Sequence, residues 1–332
     1  MTMDVEATID PEIAAALALS PMGAIDFGTF TFEAMPAMRD AMANMPAVEL
    51  PPTTTVSREV TVPGATGFDP TVRVYSPPTE ASARPCVYWI HGGGYMFGSG
   101  LTVDARINRW VEEFDCVAVS IEYRLAPEHP YPEPLDDCYA GLLWIAQHAD
   151  ELGVDPARIV VAGASAGGGL AAGLAILARD RGEVSLAHQL LIYPMIDDRN
   201  ATASSRIEGA PVWSRAANDL GWRAYLGALV GTDDIPPYAA PARVDDVAGL
   251  PPAWIGVGTL DVFRDEDIAY ASRLLAAGIP VELHVYPGGV HGFEMISPDA
   301  ALAQACQRDI TEGLRRALRP ATRPTSVGAS TS

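Results

Sequence analysis

With 332 residues, 48% apolar and 19% charged, the chain has the composition of a globular protein with a sizeable core, which excludes wholesale disorder. Its formal charge of -20, from 42 acidic against 22 basic residues, repels phosphate backbones and anionic lipid heads and so argues against nucleic acid as a partner. All 22 basic residues are Arg, which also excludes Schiff-base aldolases, pyridoxal-phosphate enzymes and lysine-bearing phosphate loops, since each is built on an ε-amine.

Residues 1–55 are rich in Ala, Met and Pro, and helical spacing over 13–19 and 32–42 predicts short helices ahead of the main fold. No basic residue precedes Arg39, so the charged start of a secretory signal is missing. From Val56 the pattern turns β-rich, with strands predicted at 58–62, 71–75 and 86–90, the last continuously apolar as a strand buried on both faces must be. Strand and helix then alternate: strand 116–122, helix 135–148, strand 158–162, helix 166–179, strand 188–193. Strands separated by helix-length segments mean crossover connections and a mostly parallel central sheet flanked by helices.

The alternation breaks over 195–236, where Trp213, Trp222 and Tyr225 lie in a stretch with helical spacing and no strand; a connection that long usually has a function. The pattern resumes over 237–319 with strand 253–257, helix 265–277, strand 281–286 and helix 300–318. Strand 281–286 falls at a sheet edge and is suited to pairing with a second copy in a homodimer. The small, polar tail 320–332 is expected to be disordered. No run of about 18 uncharged apolar residues occurs, so no membrane span is expected. Cys86, Cys116, Cys138 and Cys306 lie in apolar stretches without C-x-x-C spacing and read as reduced core thiols of a cytoplasmic protein.

Chemistry concentrates where strands end. Gly163-Ala164-Ser165-Ala166-Gly167 joins a predicted strand to a predicted helix, the context in which G-x-S-x-G is a nucleophile elbow rather than a Gly-rich helix start. A serine nucleophile needs a base and an orienting acid, which in such a fold follow it in the order acid, then His. His291, in the Gly-flanked loop after strand 281–286, is the base expected. His284, inside that strand, reads as a partly exposed residue facing away from the side buried by Val281, Leu283 and Val285. For the acid, Asp261 follows strand 253–257 closely, with Asp265 as the alternative; Asp265 and Asp267 also suit the first turn of the next helix, where a carboxylate meets the positive end of the dipole. His91-Gly92-Gly93-Gly94 closes strand 86–90, and three adjacent glycines leave their amides open to an oxyanion; Gly93 and Gly94, with the N–H of Ala166, form the expected oxyanion hole. His91 itself reads as shaping that loop. Tyr95, Phe97 and Trp213 are candidate walls of a substrate pocket, though each also suits plain core packing.

Together these residues resemble the hormone-sensitive-lipase-like esterases, bacterial family IV of the α/β-hydrolases, and in wording the bacterial heroin esterase group. The likeness runs from about Ser57 to Leu318 and rests on His91-Gly92-Gly93-Gly94, on Tyr123-Arg124-Leu125-Ala126-Pro127-Glu128, on the elbow, on the Asp261 segment and on His291-Gly292-Phe293. It implies an α/β-hydrolase fold whose helical cap combines residues 1–55 with 195–236, a triad of Ser165, Asp261 and His291, a small-molecule ester substrate of short to medium acyl chain, and no cofactor or metal. An amidase, lactonase or lipase would use the same site. The plant gibberellin receptors resemble the family but lack its catalytic His, whereas His291 is present here. Two departures stand out: the family's usual Asp beside the nucleophile is Ala164, and its Asp-Pro-Leu is Asp261-Val262-Phe263.

Overall fold

The β-patterned runs form one eight-stranded sheet in the computed structural model, which describes residues 8–20, 23, 25–44, 50–65, 67–101 and 105–319. The strands are β1 (Val56–Thr61), β2 (Thr71–Ser76), β3 (Arg84–Ile90), β4 (Val117–Glu122), β5 (Val154–Ala164), β6 (His188–Ile192), β7 (Ala253–Gly258) and β8 (Val281–Tyr286). Their order is β1-β2-β4-β3-β5-β6-β7-β8; β2 runs antiparallel to both neighbours, and every pairing from β4 across to β8 is parallel. All residues of β3 and β7 are buried, because helices cover both faces of a parallel sheet and leave no polar face to solvent. At one edge, β1 is mostly exposed.

The helices are α1 (Pro11–Leu19), α2 (Met35–Ala43), α3 (Ala105–Phe114), α4 (Glu133–Gln147), α5 (Ala149–Leu152), α6 (Ala166–Arg181), α7 (Arg215–Leu226), α8 (Arg264–Ala276), α9 (Phe293–Ile296) and α10 (Ala301–Ala317). Helix α7 lies in the segment without strands and begins at Ser214, whose hydroxyl accepts the Ala217 N–H as an N-cap. It packs on the single turn Phe27–Thr29 from the N-terminal segment, while α1 packs on α9. Asp10 caps α1 through Glu12 N and Ile13 N, and its own N–H donates to the Gly288 carbonyl at 3.1 Å. The N-terminal segment is thereby stitched to the loop that carries His291.

Three features differ from the sequence reading. Helix α3 was not anticipated, although Ile107, Trp110 and Val111 are buried at i, i+3 and i+4, a legible helical stripe broken up by charged neighbours. Strand β5 starts earlier than expected because Val154 pairs with Arg84. In β8 the alternation misleads: Val285 is 37% exposed, and His284 on the other face stacks on Trp254 with ring centroids 5.4 Å apart. An edge strand with one neighbour has no fully covered face for the apolar set to occupy. His284 is nonetheless only partly exposed, as expected, and bonds Glu282. The tail 320–332 lies outside the described residues.

Trp254, fully buried in β7, is held against α10 at Gly313, where an added Cβ would fall 2.4 Å from the indole Cδ1. Gly313→Ala would gain about 1 kcal/mol of helix propensity. Against this, the overpacking costs about 1–3 kcal/mol. Urea denaturation is therefore expected to show a net loss of about 1 kcal/mol at unchanged m value, whereas a raised midpoint would mean that propensity wins.

Candidate active site

Strand β5 turns into α6 at one residue. Ser165 has φ 57° and ψ -125°, a conformation L-residues rarely adopt, and serves as N-cap position to α6. The helix can begin so close to the sheet because Gly167 has no side chain: a Cβ there would lie 2.2 Å from the Ile90 carbonyl and 2.4 Å from that of His91. The hydroxyl is thus lifted above the carboxyl end of the sheet, beside the first amides of α6, which have no intrahelical partner. Ala164 is buried and pairs with Ile192 in the sheet.

The loops after β7 and β8 bring the partners in. His291 Nε2 lies 3.0 Å from Ser165 Oγ, and His291 Nδ1 lies 2.8 Å from Asp261 Oδ2. Asp261 accepts with its other oxygen from Phe263 N at 3.0 Å. With a carboxylate as acceptor at Nδ1, Nε2 is the nitrogen left to accept from the serine. The two loops are also tied together, Leu260 N donating to Gly289 O and Gly288 N to Thr259 Oγ1. Ser165, Asp261 and His291 are all at most 7% exposed. Such a hydroxyl can pass its proton to the imidazole as it attacks an electrophilic carbon.

Neither competing carboxylate reaches His291. Asp265 accepts from Ser204 N at 2.7 Å and pairs with Arg264 at 2.8 Å, holding the segment after β6. Asp267 is fully buried with neither oxygen bonded, and burial, reinforced by Glu266 and Asp261, pushes its carboxyl well above the usual range. Burial thus favours its neutral form.

The glycine loop after β3 abuts the elbow: a Cβ on Gly92 would sit 2.7 Å from the Ala164 carbonyl. His91 stacks on Tyr123 at 4.2 Å, points Nδ1 at the Gly92 carbonyl at 2.8 Å, and takes the Tyr123 hydroxyl on its own carbonyl at 2.9 Å. Burial pushes its imidazole pKa down, against weaker upward pulls from the Gly92 carbonyl and Glu122. Arg39 from α2 clamps the same loop, donating to the carbonyls of Met96 and Ala126 and pairing with Glu128 at 2.9 Å.

Of the three aromatic candidates, Trp213 covers Gly94 and lies 6.2 Å from His291, and Phe97 joins it through Phe27, at 5.8 and 5.9 Å. Tyr95 is turned away from this wall. It is fully buried, stacked on Tyr225 at 4.0 Å, and its hydroxyl donates to the Met195 carbonyl, so it braces the loop. Sequence reasoning missed Arg39 altogether, along with Tyr193, whose ring lies 4.7 Å from that of His291, and Glu294. From the sequence Tyr193 reads only as the last residue of strand 188–193, with nothing to mark a role at the site. Among the described residues no group of three or more His, Cys, Asp and Glu is arranged to hold a metal, and no helix is long and apolar enough to cross a membrane.

Residues 87–295 match the family model described as alpha/beta hydrolase fold. The chain is 39% identical to a protein named carboxylesterase NlhH from Mycobacterium tuberculosis, over 89% of this chain and 94% of that one. To esterase LipI of the same organism it is 36% identical, over 88% and 90%. The solved structure of a bacterial heroin esterase superposes with a TM-score of 0.85 at 40% identity, covering 95% of this chain and 99% of that one.

The hydrogen bonds of the two aspartates lead to opposite expectations for two similar substitutions. If Asp261 is the acid that orients His291, Asp261→Asn lowers kcat on an activated ester by about 10³- to 10⁴-fold through loss of the correct tautomer. Asp265→Asn costs less than about tenfold. Steady-state kinetics of the purified pair check this, and the reverse ranking would transfer the acid's role to Asp265.

Proposed function

The chain belongs to the α/β-hydrolase family, in its hormone-sensitive-lipase-like branch, and on that premise we propose that it is a serine carboxylesterase working through an acyl-enzyme on Ser165. The observation that carries the reading is the continuous chain of hydrogen bonds from Ser165 Oγ through His291 to Asp261, set against the glycine loop and the start of α6. In this mechanism Ser165 attacks the ester carbonyl while His291 Nε2 takes its proton. The oxyanion is held by the amides of Gly93, Gly94 and Ala166. His291 then returns the proton to the leaving alkoxide, and water repeats the sequence on the acyl group. Asp261 keeps the imidazole in the working tautomer and stabilises the imidazolium.

The substrate class is a small, neutral ester of short to medium acyl chain. Phe97 and Trp213, joined through Phe27, would wall the reacting carbonyl with apolar surface, and the net charge of -20 disfavours anionic esters. Residues 1–55 and 195–236 together act as a cap over this wall, which the packing of α7 on the Phe27–Thr29 turn supports.

A p-nitrophenyl ester series from acetate to palmitate tests the reading. Turnover is expected to peak at short chains and to fall about 10⁴-fold or more in Ser165→Ala. A maximum at palmitate would favour a lipase, faster turnover of a matched amide an amidase, and turnover unaffected by the substitution would remove Ser165 from the chemistry.

A further inference from the structure

We propose that the segment after β6, residues 192–197, is the strut that holds the parts of the site in register, and that Tyr193 and Glu294 are positioning residues that set His291 against Ser165 through it. The inference rests on the reading of Ser165 as nucleophile and His291 as base.

Each part of the site makes a bond to this segment. The nucleophile is bracketed by it, Ser165 N donating to the Ile192 carbonyl at 2.9 Å and Met195 N to the Ser165 carbonyl at 3.0 Å. From the glycine loop, the Tyr95 hydroxyl donates to the Met195 carbonyl at 3.0 Å. From α8, just past Asp261, the Glu266 carboxylate accepts both Ile196 N at 2.9 Å and Asp197 N at 3.1 Å. The loop of His291 is joined by a side chain. Tyr193, anchored to β7 by its N–H to the Gly256 carbonyl at 2.7 Å, presents its ring to the imidazole at 4.7 Å and a 64° tilt. Its hydroxyl donates to Glu294 Oε1 at 2.7 Å.

Glu294 is three residues beyond His291 and has no exposed surface. Arg106 pairs with the same oxygen at 3.1 Å, and the Glu294 carbonyl accepts from Gln307 Nε2 at 2.8 Å. A buried carboxylate is costly unless it is paired; Oε1 has Arg106 and Tyr193 as partners, while Oε2 has none among the described residues, so the contact to Tyr193 is one of the few that hold this side chain. Burial first, then the neighbouring Glu294 charge, pushes the Tyr193 phenol well up, which keeps it a donor at any working pH. Three non-glycine residues with positive φ meet here, Ser165 at 57°, Tyr95 at 64° and Tyr193 at 35°. Such conformations persist where the surroundings over-determine them, and they gather at functional sites. What the strut secures is the 3.0 Å between His291 and Ser165. A general base works only within about 2.6–3.2 Å of the proton it takes, and a misplacement of about 1 Å can cost ~10²-fold in rate.

The test measures kcat and KM for p-nitrophenyl acetate, with kcat expressed per serine titrated by a p-nitrophenyl phosphonate. Tyr193→Phe removes one oxygen and is expected to lower kcat about 10- to 100-fold while leaving KM within about twofold. Glu294→Gln keeps an acceptor for the hydroxyl and is expected to hold kcat within about threefold of wild type. Glu294→Leu matches Tyr193→Phe, and the double variant is no worse than either single one, as for two ends of one contact. Wild-type kcat per titrated serine in Tyr193→Phe overturns the proposal, as do additive losses or a fall confined to the titratable fraction. Wild-type turnover that survives Ser165→Ala would overturn the nucleophile reading itself, and the strut with it.

Discussion

One residue's backbone constrains everything at the carboxyl face of the sheet. Ser165 turns a buried parallel strand into a helix without an intervening loop, at φ 57° and ψ -125°, a strain of about 1–3 kcal/mol that the surroundings must hold. They hold it by close approach: β5 is fixed between β3 and β6, and Gly167 lets α6 touch the carbonyls that end β3. The hydroxyl, the first amides of α6 and the glycine loop then share one small volume. A nucleophile on a relaxed loop would need a separate device for each of these alignments.

Around that fixed point the other parts arrive on loops, as in open parallel sheets generally, where the crevice beyond the strand ends collects ligands. The loops after β7 and β8 carry Asp261 and His291 and are hydrogen-bonded to each other, which fixes the two side chains relative to one another. The N-terminal segment contributes from outside the sheet. Arg39 grips the glycine loop and Asp10 the loop of His291, so residues remote in sequence reach both halves of the site. The two carboxyls differ in the same place: Asp261 is hydrogen-bonded to His291, whereas Asp267 has no partner for either oxygen and burial pushes its carboxyl well up.

Much of this was legible in the sequence because it depends on local backbone demands. Glycine runs at the ends of buried strands read directly, since no other residue fits the turn or the close approach. The order of strand and helix read through hydrophobic period, and the expected helices at 135–148 and 166–179 lie within two residues of α4 and α6 at each end. The sequence favours Asp261 over Asp265 only by its closeness to the strand, because both follow the same strand. Only tertiary contact separates them, through the engagement of Asp265 with Ser204. Tyr193 and Glu294 carried no usable signal, since a tyrosine and a glutamate 101 residues apart meet only in the folded chain. Helix α3 was overlooked for another reason: three apolar positions among charges are a short stripe.

The proposed mechanism requires that Ser165 becomes covalently acylated in turnover. Rapid acid quench after mixing with p-nitrophenyl acetate, followed by peptide mass mapping, tests it most directly. An acetyl group is expected on the peptide carrying Ser165, formed within the burst of released nitrophenol and absent from Ser165→Ala. An unmodified Ser165 peptide during active turnover, or an acetyl group on a different residue, would contradict it.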